Sequence, residues 1–414
     1  MQTFPEISGE AIVSHVAQKP ARQAATIAAR AGVDQDAAHG AVMPPLYLST
    51  NYSFEGFGKK REYDYSRSGN PTRDVLAGAL AELEGGVGAV VTATGMAAIT
   101  LVTSQLSPDD LIIVPHDCYG GSYRLFVNQA KRGLYRCAVV DFNDTVALAT
   151  ALACKPKLVW IETPSNPLLR IVDIAAVSRL AHQVGALVVV DNTFLSPALQ
   201  QPIALGADIV VHSTTKYLNG HSDVVGGAVI WKDAAVGEQL AWWCNCLGVS
   251  GGAFDSYLTL RGLRTLQPRL RAHQENAAAI VEILDAHAAV EKVYFPGLAS
   301  HPQHALAARQ QRGFGAMLSF DLVGGVPAVE AFVNGLQSFT LAESLGGVES
   351  LVAHPATMTH AAMDAEARRV AGLGDGLLRL SVGIEAVEDL VADIDAALDR
   401  AASFLPSRAV ANAR

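Results

Sequence analysis

The chain predicts an α/β protein: a mostly parallel central sheet with helices on both faces, a smaller α+β lobe after it and an irregular arm before it. Three observations lead there. Short, nearly all-apolar, β-branched runs recur at Gly88–Thr92, Leu111–Pro115, 158–161, 187–190, Ile209–His212 and Gly227–Trp231, the pattern of strands buried on both faces. Longer amphipathic stretches alternate with these runs, as a parallel sheet requires. The residues ahead of Val75 show no such periodicity and are rich in turn formers, with Pro44-Pro45 among them.

Taken in order, 1–74 is expected to be an arm contributing to a neighbouring subunit's site. Residues 75–276 form the α/β domain, opened by a helix over 75–83. Residues 277–414 form the α+β domain, with helices at 277–284 and 328–333, strands at 316–322 and 378–382, and a closing amphipathic helix at 387–404. No internal repeat or low-complexity segment interrupts this plan.

Composition narrows the function classes. Of 414 residues, 50% are hydrophobic and only 17% charged, so a large core is available and a disordered role is excluded. So few charges leave apolar surface for other subunits to cover, which predicts a homo-oligomer. The net charge is -9 without a basic block, so nucleic acid is not an expected partner. Charged residues or glycine interrupt every apolar run, so no membrane span is expected. Residues 1–20 lack a basic flank followed by an apolar stretch and do not read as a secretory signal. The cysteines, Cys118, Cys137, Cys154, Cys244 and Cys246, are odd in number and scattered. That suits reduced thiols in the cytoplasm. Cys244-Asn245-Cys246 lacks a second Cys/His pair, so no metal site is expected.

The residues that carry chemistry fall at strand ends. In Asp208–Lys216 a buried strand delivers Ser213 and Thr215 and then a lysine. A Schiff-base lysine needs a cleft where its amine can shed a proton, and the hydroxyls can hold a phosphate beside it. Alone, Lys216 is at least as well explained as a loop lysine on the surface. Asp191 closes the run Val188-Val189-Val190, and carboxyl ends of strands face the ligand crevice in open α/β sheets. There a carboxylate can keep a pyridine nitrogen protonated, or simply cap the next turn. Thr94-Gly95-Met96 passes from a strand into a helix whose N-terminus offers N–H groups to a phosphate. Tyr119, in Asp117–Gly121, can stack on an aromatic ring. Asn166 lies in Glu162-Thr163-Pro164-Ser165-Asn166-Pro167, where it can donate to a ring oxygen or serve a proline turn. Arg67, in the arm segment from Tyr63 to Arg73, suits a phosphate fork and can serve a neighbouring subunit. No single element decides the matter, but a base, an acid, phosphate donors and an aromatic stack converge on one crevice.

From Ala25 onward the sequence resembles the Cys/Met-metabolism family of pyridoxal-phosphate enzymes of fold type I. The likeness is carried by Asp64-Tyr65-Ser66-Arg67 with Gly69-Asn70-Pro71-Thr72-Arg73, by the stretch from His116 to Arg124, by Ser213 to His221, by 251–257, and by Leu341 to Ser350. The resemblance implies pyridoxal 5'-phosphate as cofactor and amino acids as small-molecule substrates. It also implies a tetramer built as a dimer of dimers with sites shared between subunits. Lys216 would hold the cofactor and move protons, with Tyr119 and Glu343 also in the catalytic set. Asp191 would pair with the pyridine nitrogen, Tyr119 stack on the ring and Asn166 meet its oxygen. Gly95, Met96, Ser213 and Thr215 would hold the phosphate, joined by Tyr65 and Arg67 from a neighbouring subunit. Arg379, Ser344, Asp64 and Arg124 would bind substrate, Arg379 through its α-carboxylate. Glu343 stands where β-lyases of the family carry a bulky aromatic. The implied activity is γ-replacement on an O-acyl homoserine, succinyl first, with γ-elimination as the alternative. Ser68 is a departure, because the bacterial γ-replacing members carry a second arginine there, while the γ-eliminating members have serine. Trp242-Trp243 and 251–257 resemble the γ-replacing members.

Overall fold

Asn70 begins the first long helix, Pro71–Glu84, because its Oδ1 accepts from the N–H groups of Thr72 at 3.0 Å and Arg73 at 3.1 Å, and Pro71 has no N–H to lose at the first turn. Gly85 ends it in the left-handed conformation. The cap starts this helix earlier than the apolar pattern from Val75 indicates. The structure is a computed structural model and describes residues 22–359 and 371–405. The start of the predicted arm, with the 1–20 segment, lies outside the described residues, as do parts of 277–414.

The central sheet has the strands β1 (Gly88–Thr92), β2 (Leu111–Pro115), β3 (Arg136–Val140), β4 (Leu158–Glu162), β5 (Leu187–Asp191), β6 (Ile209–His212) and β7 (Gly227–Trp231). Their spatial order is β1-β7-β6-β5-β4-β2-β3. The pairs from β6 to β3 are parallel, while β7 runs antiparallel to both its neighbours. So β1 points the same way as the parallel strands, and its carboxyl end opens on the same edge. Alternation along each strand covers both faces. Ile112, Val114, Trp160, Val189 and Val211 pack with the helices Gly95–Thr103, Gly120–Lys131 and Ala234–Leu247. Ile113, Val159, Ile161, Val188 and Val190 pack with Thr145–Ala153 and Ile174–Gln183.

The second sheet has β8 (Val290–Tyr294), β9 (Met317–Leu322), β10 (Phe339–Leu341), β11 (Ser350–Ala353) and β12 (Leu377–Ser381), in the order β10-β11-β12-β9-β8. Leu318, Phe320, Val352, Leu378 and Leu380 face the helices Leu266–Ala286, Gly325–Val333 and Val387–Ala402. The intervening residues of β9 and β12 therefore face the first lobe. The Ser319 hydroxyl donates to Pro167 O at 2.7 Å, and Arg379 reaches Asn166. Among the described residues, no helix is long and apolar enough to cross a membrane.

Candidate active site

The carboxyl ends of β1, β2, β4, β5 and β6 open on one cavity of about 820 Å³, within the range of small-molecule sites. Of the residues singled out in the sequence, Gly95, Met96, Tyr119, Arg124, Asn166 and Asp191 line it. So do Ser213, Thr215, Lys216, Glu343, Ser344 and Arg379.

Lys216 lies just beyond β6. Its Nζ donates to the Ser344 hydroxyl at 2.8 Å. Burial, and then the Arg379 charge, lower its pKa to about 8, so a neutral amine is available near neutral pH. Ser344 holds a left-handed backbone, φ 83°, uncommon for a residue with a Cβ. Its carbonyl accepts from Arg379 Nη2 at 2.8 Å, while Arg379 Nη1 donates to Asn166 Oδ1 at 2.9 Å. Arg379 is 3% exposed and its Nε has no hydrogen-bond partner. A charged guanidinium on the cavity wall suits a carboxylate. Burial brings its pKa down to about 10, so it stays charged at neutral pH.

Asp191 ends β5, and its Oδ1 accepts from Thr193 N at 3.0 Å. Burial raises its pKa, partly offset by Thr193 and by His212. Among the described residues this carboxylate makes no direct ion pair, and a protonated ring nitrogen would supply one. Tyr119 precedes the helix Gly120–Lys131, and its ring lies against Gly121, where an added Cβ would fall 2.5 Å from it. That close approach explains the glycine after Tyr119-Gly120. Gly95 has the same kind of reason: a Cβ there would sit 2.8 Å from the Ser213 Cβ. The N-terminus of Gly95–Thr103 thus lies directly against the end of β6. Thr94 caps this helix by accepting from Ala97 N at 2.8 Å, a bond that does not use the N–H groups of Gly95 and Met96. The Thr215 hydroxyl is engaged with Gly226, donating to its O at 3.2 Å and accepting from its N at 3.0 Å.

Asp64, Tyr65 and Arg67 do not line this chain's cavity. Arg67 Nη1 donates to Asn245 O at 2.9 Å and Oδ1 at 3.0 Å, and the guanidinium lies 5.7 Å from the Tyr65 ring centroid. Asp64 Oδ1 accepts from Tyr65 N at 2.6 Å and the Ser68 hydroxyl at 2.8 Å.

Two cavity residues escaped the sequence reading. Thr193 supports Asp191, and its Oγ1 accepts from Ser213 N at 2.9 Å. In the sequence Glu162 stands at the start of a proline-rich turn. It ends β4 directly opposite Asp191, and the strand-end rule that marks Asp191 also marks it.

A neutral-capable lysine, a buried carboxylate at the adjoining strand end, and a helix N-terminus beside them define a site for an aldehyde cofactor with a phosphate and a protonatable ring. The chain belongs to the Cys/Met metabolism PLP-dependent enzymes, whose family model matches residues 25–399. It is 62% identical to the Escherichia coli cystathionine gamma-synthase over 375 residues, 90% of this chain and 97% of the relative. A solved structure of cystathionine gamma synthase from Xanthomonas oryzae pv. oryzae in complex with cystathionine shares 66% identity and a TM-score of 0.92, over 93% of this chain and all of that one. A cystathionine gamma-lyase from Lactobacillus plantarum, complexed with L-serine, shares 43% identity and a TM-score of 0.89 over 92% and 99% of the two chains.

Proposed function

We propose that this chain catalyses γ-replacement: an O-acyl-L-homoserine, succinyl first, and L-cysteine give L-cystathionine and the free acid. The observation that carries this reading is the 62% and 66% identity to two γ-synthases, over 90% and 93% of this chain.

In this reading Lys216 holds pyridoxal phosphate, with Asp191 at the ring nitrogen, Tyr119 over the ring and Asn166 near its oxygen. Gly95, Met96, Ser213 and Thr215 receive the phosphate. When bound, the cofactor supplies an electron sink for charge developing at the substrate's Cα. Arg379, on the cavity wall, orients the substrate through its α-carboxylate. That places Cα near Lys216, whose lowered basicity leaves a neutral fraction to take the Cα proton. Glu343, beside Lys216 and Arg379 on the cavity wall, serves the distal end of the substrate, and Arg124 and Asp64 complete the substrate set. Steps up to loss of the γ-acyloxy group are common to replacement and elimination; the arrival of cysteine separates them.

Assembly belongs to the same proposal. Asp64, Tyr65 and Arg67 stand outside their own cavity, and Phe54, Phe57, Trp242, Leu247 and Phe254 are exposed. Such apolar surface calls for a partner, and a tetramer made of two dimers lets the arm, 1–74, reach a neighbouring site built by 75–276 and 277–414. With five cysteines all unpaired, a reducing cytoplasm is the matching compartment.

The test is a side-by-side assay. Cystathionine formation from O-succinyl-L-homoserine plus cysteine should exceed 2-oxobutanoate release from cystathionine alone by at least about tenfold. The reverse ratio would make the chain a γ-lyase.

A further inference from the structure

The Glu162 side chain touches more of the cavity floor than its position in a turn motif suggests. It is 6% exposed and lines the cavity. Its Oε2 accepts from the Tyr119 N–H at 2.8 Å, and the Asn166 backbone N–H lies near enough to the carboxyl group to favour its charged form. In the parallel register of β4 and β5 it stands directly opposite Asp191, and directly paired residues project to the same face. One side chain thus meets two segments that surround the cavity and neighbours the carboxylate between them.

We propose that Glu162 is a positioning residue that fixes Tyr119 and Asn166 relative to Asp191 around the cofactor ring, and that it does so by accepting hydrogen bonds rather than by its charge. This rests on the assignment of those three residues to the ring. The surroundings favour the uncharged form. Burial raises the Glu162 pKa well above the carboxylate range, and the charges of Asp191 and Asp117 raise it further, against only the two backbone N–H groups. An uncharged carboxylic acid still has a carbonyl oxygen for the Tyr119 N–H. With Glu162 uncharged, the negative charge of the opposed pair falls to Asp191, where Thr193 and His212 hold the carboxyl's pKa down against burial, and one such charge is what a protonated ring nitrogen calls for. Two ionised carboxylates side by side in a buried floor would repel one another.

The test compares Glu162→Gln, which keeps an acceptor oxygen and the shape, with Glu162→Ala, which removes the acceptor. Glu162→Met stands in if the alanine variant does not fold. Cofactor retention by the full-length holoprotein on dialysis, and the visible circular dichroism of the bound cofactor, are the readouts. The glutamine variant should hold pyridoxal phosphate within about threefold of the native dissociation constant and keep the native dichroism. The alanine or methionine variant should bind it at least about tenfold more weakly with diminished dichroism. Native behaviour of the alanine or methionine variant, or a glutamine variant as impaired as it, overturns the inference. Asp191→Ala is measured in parallel. If it also binds the cofactor normally, the ring assignment itself fails; if only it is impaired, Glu162 alone is misassigned.

Discussion

Lys216 and Arg379 are joined through one residue, Ser344, whose hydroxyl and carbonyl take a bond from each, yet they answer to different measurements. Lys216→Ala should abolish turnover together with the visible absorbance of bound cofactor; an active lysine-free protein would sink the assignment. The neutral amine is the reactive form, and its pKa is held at about 8 rather than the ordinary 10.5. The rate at which cofactor-stripped protein takes up pyridoxal phosphate should therefore climb with pH and level off above about 8. A climb continuing past pH 10 would show a solvated lysine. Arg379→Ala should raise KM by about a hundredfold or more while the cofactor stays bound, since it removes a charged, bidentate partner of the substrate and only one bond to Asn166. Steady-state kinetics beside an absorbance spectrum separates the two effects. At this scale the sequence was most informative where one residue type at a strand end has few other uses, as with Lys216 and Asp191. It was least informative where the partner lies far along the chain. Nothing local to Ser344 announces a left-handed backbone aimed at a lysine 128 residues away.

Helices and strands were legible to the degree that their burial is symmetric. The strands buried on both faces read directly as apolar runs, with β4 and β5 extending by one acidic residue each, Glu162 and Asp191. The edge strand β3 begins at exposed Arg136 and keeps a run of only four apolar residues, Cys137 to Val140, and β8 carries Glu291 and Lys292 to solvent; the sequence marks neither. β10 and β11 are too short to show a period. Between elements, the buried pair of Glu84 and His212, 2.6 Å apart, ties the end of Pro71–Glu84 to β6, and Asn192 Nδ2 donates to the same oxygen at 2.8 Å. Glu84→Ala leaves His212 Nε2 without its partner and takes one of the two acceptors of Asn192 Nδ2, and denaturant unfolding should show a loss of about 3–5 kcal/mol. The helix Leu266–Ala286 carries a second test. Burial lowers the His273 pKa from 6.5 to about 4, while its Nδ1 pairs with Val382 O at 2.7 Å. Its folded pKa lies below the unfolded one, so this contribution to stability is whole above pH 6.5. It is lost as pH falls towards 4. His273→Gln should flatten the decline of the thermal midpoint across that window.

For the whole molecule, the lobes meet at the cavity: β12 sends Arg379 across to Asn166, so substrate and cofactor residues come from different sheets. The arm adds a third source if Tyr65 and Arg67 complete a neighbour's site. Mixing an Arg67→Ala variant with a Lys216→Ala variant and reassembling them should then restore activity, towards a quarter of the native level, because a hybrid pair has one undamaged site. No recovery in a mixture shown to have exchanged subunits would place Arg67 in its own chain's service. The sheet's one reversed strand bears on how the molecule comes to exist. β1 is made early, yet among the described strands it pairs with β7, with Gly88 opposite Trp231 and Thr92 opposite Gly227. During synthesis β1 has nothing to pair with until the whole run from β2 to β7 has left the ribosome. Contacts of such sequence separation form late. The end of the cavity where Gly95 meets Ser213, the proposed phosphate site, is therefore expected to assemble near the close of folding, so that cofactor capture would follow chain assembly instead of guiding it.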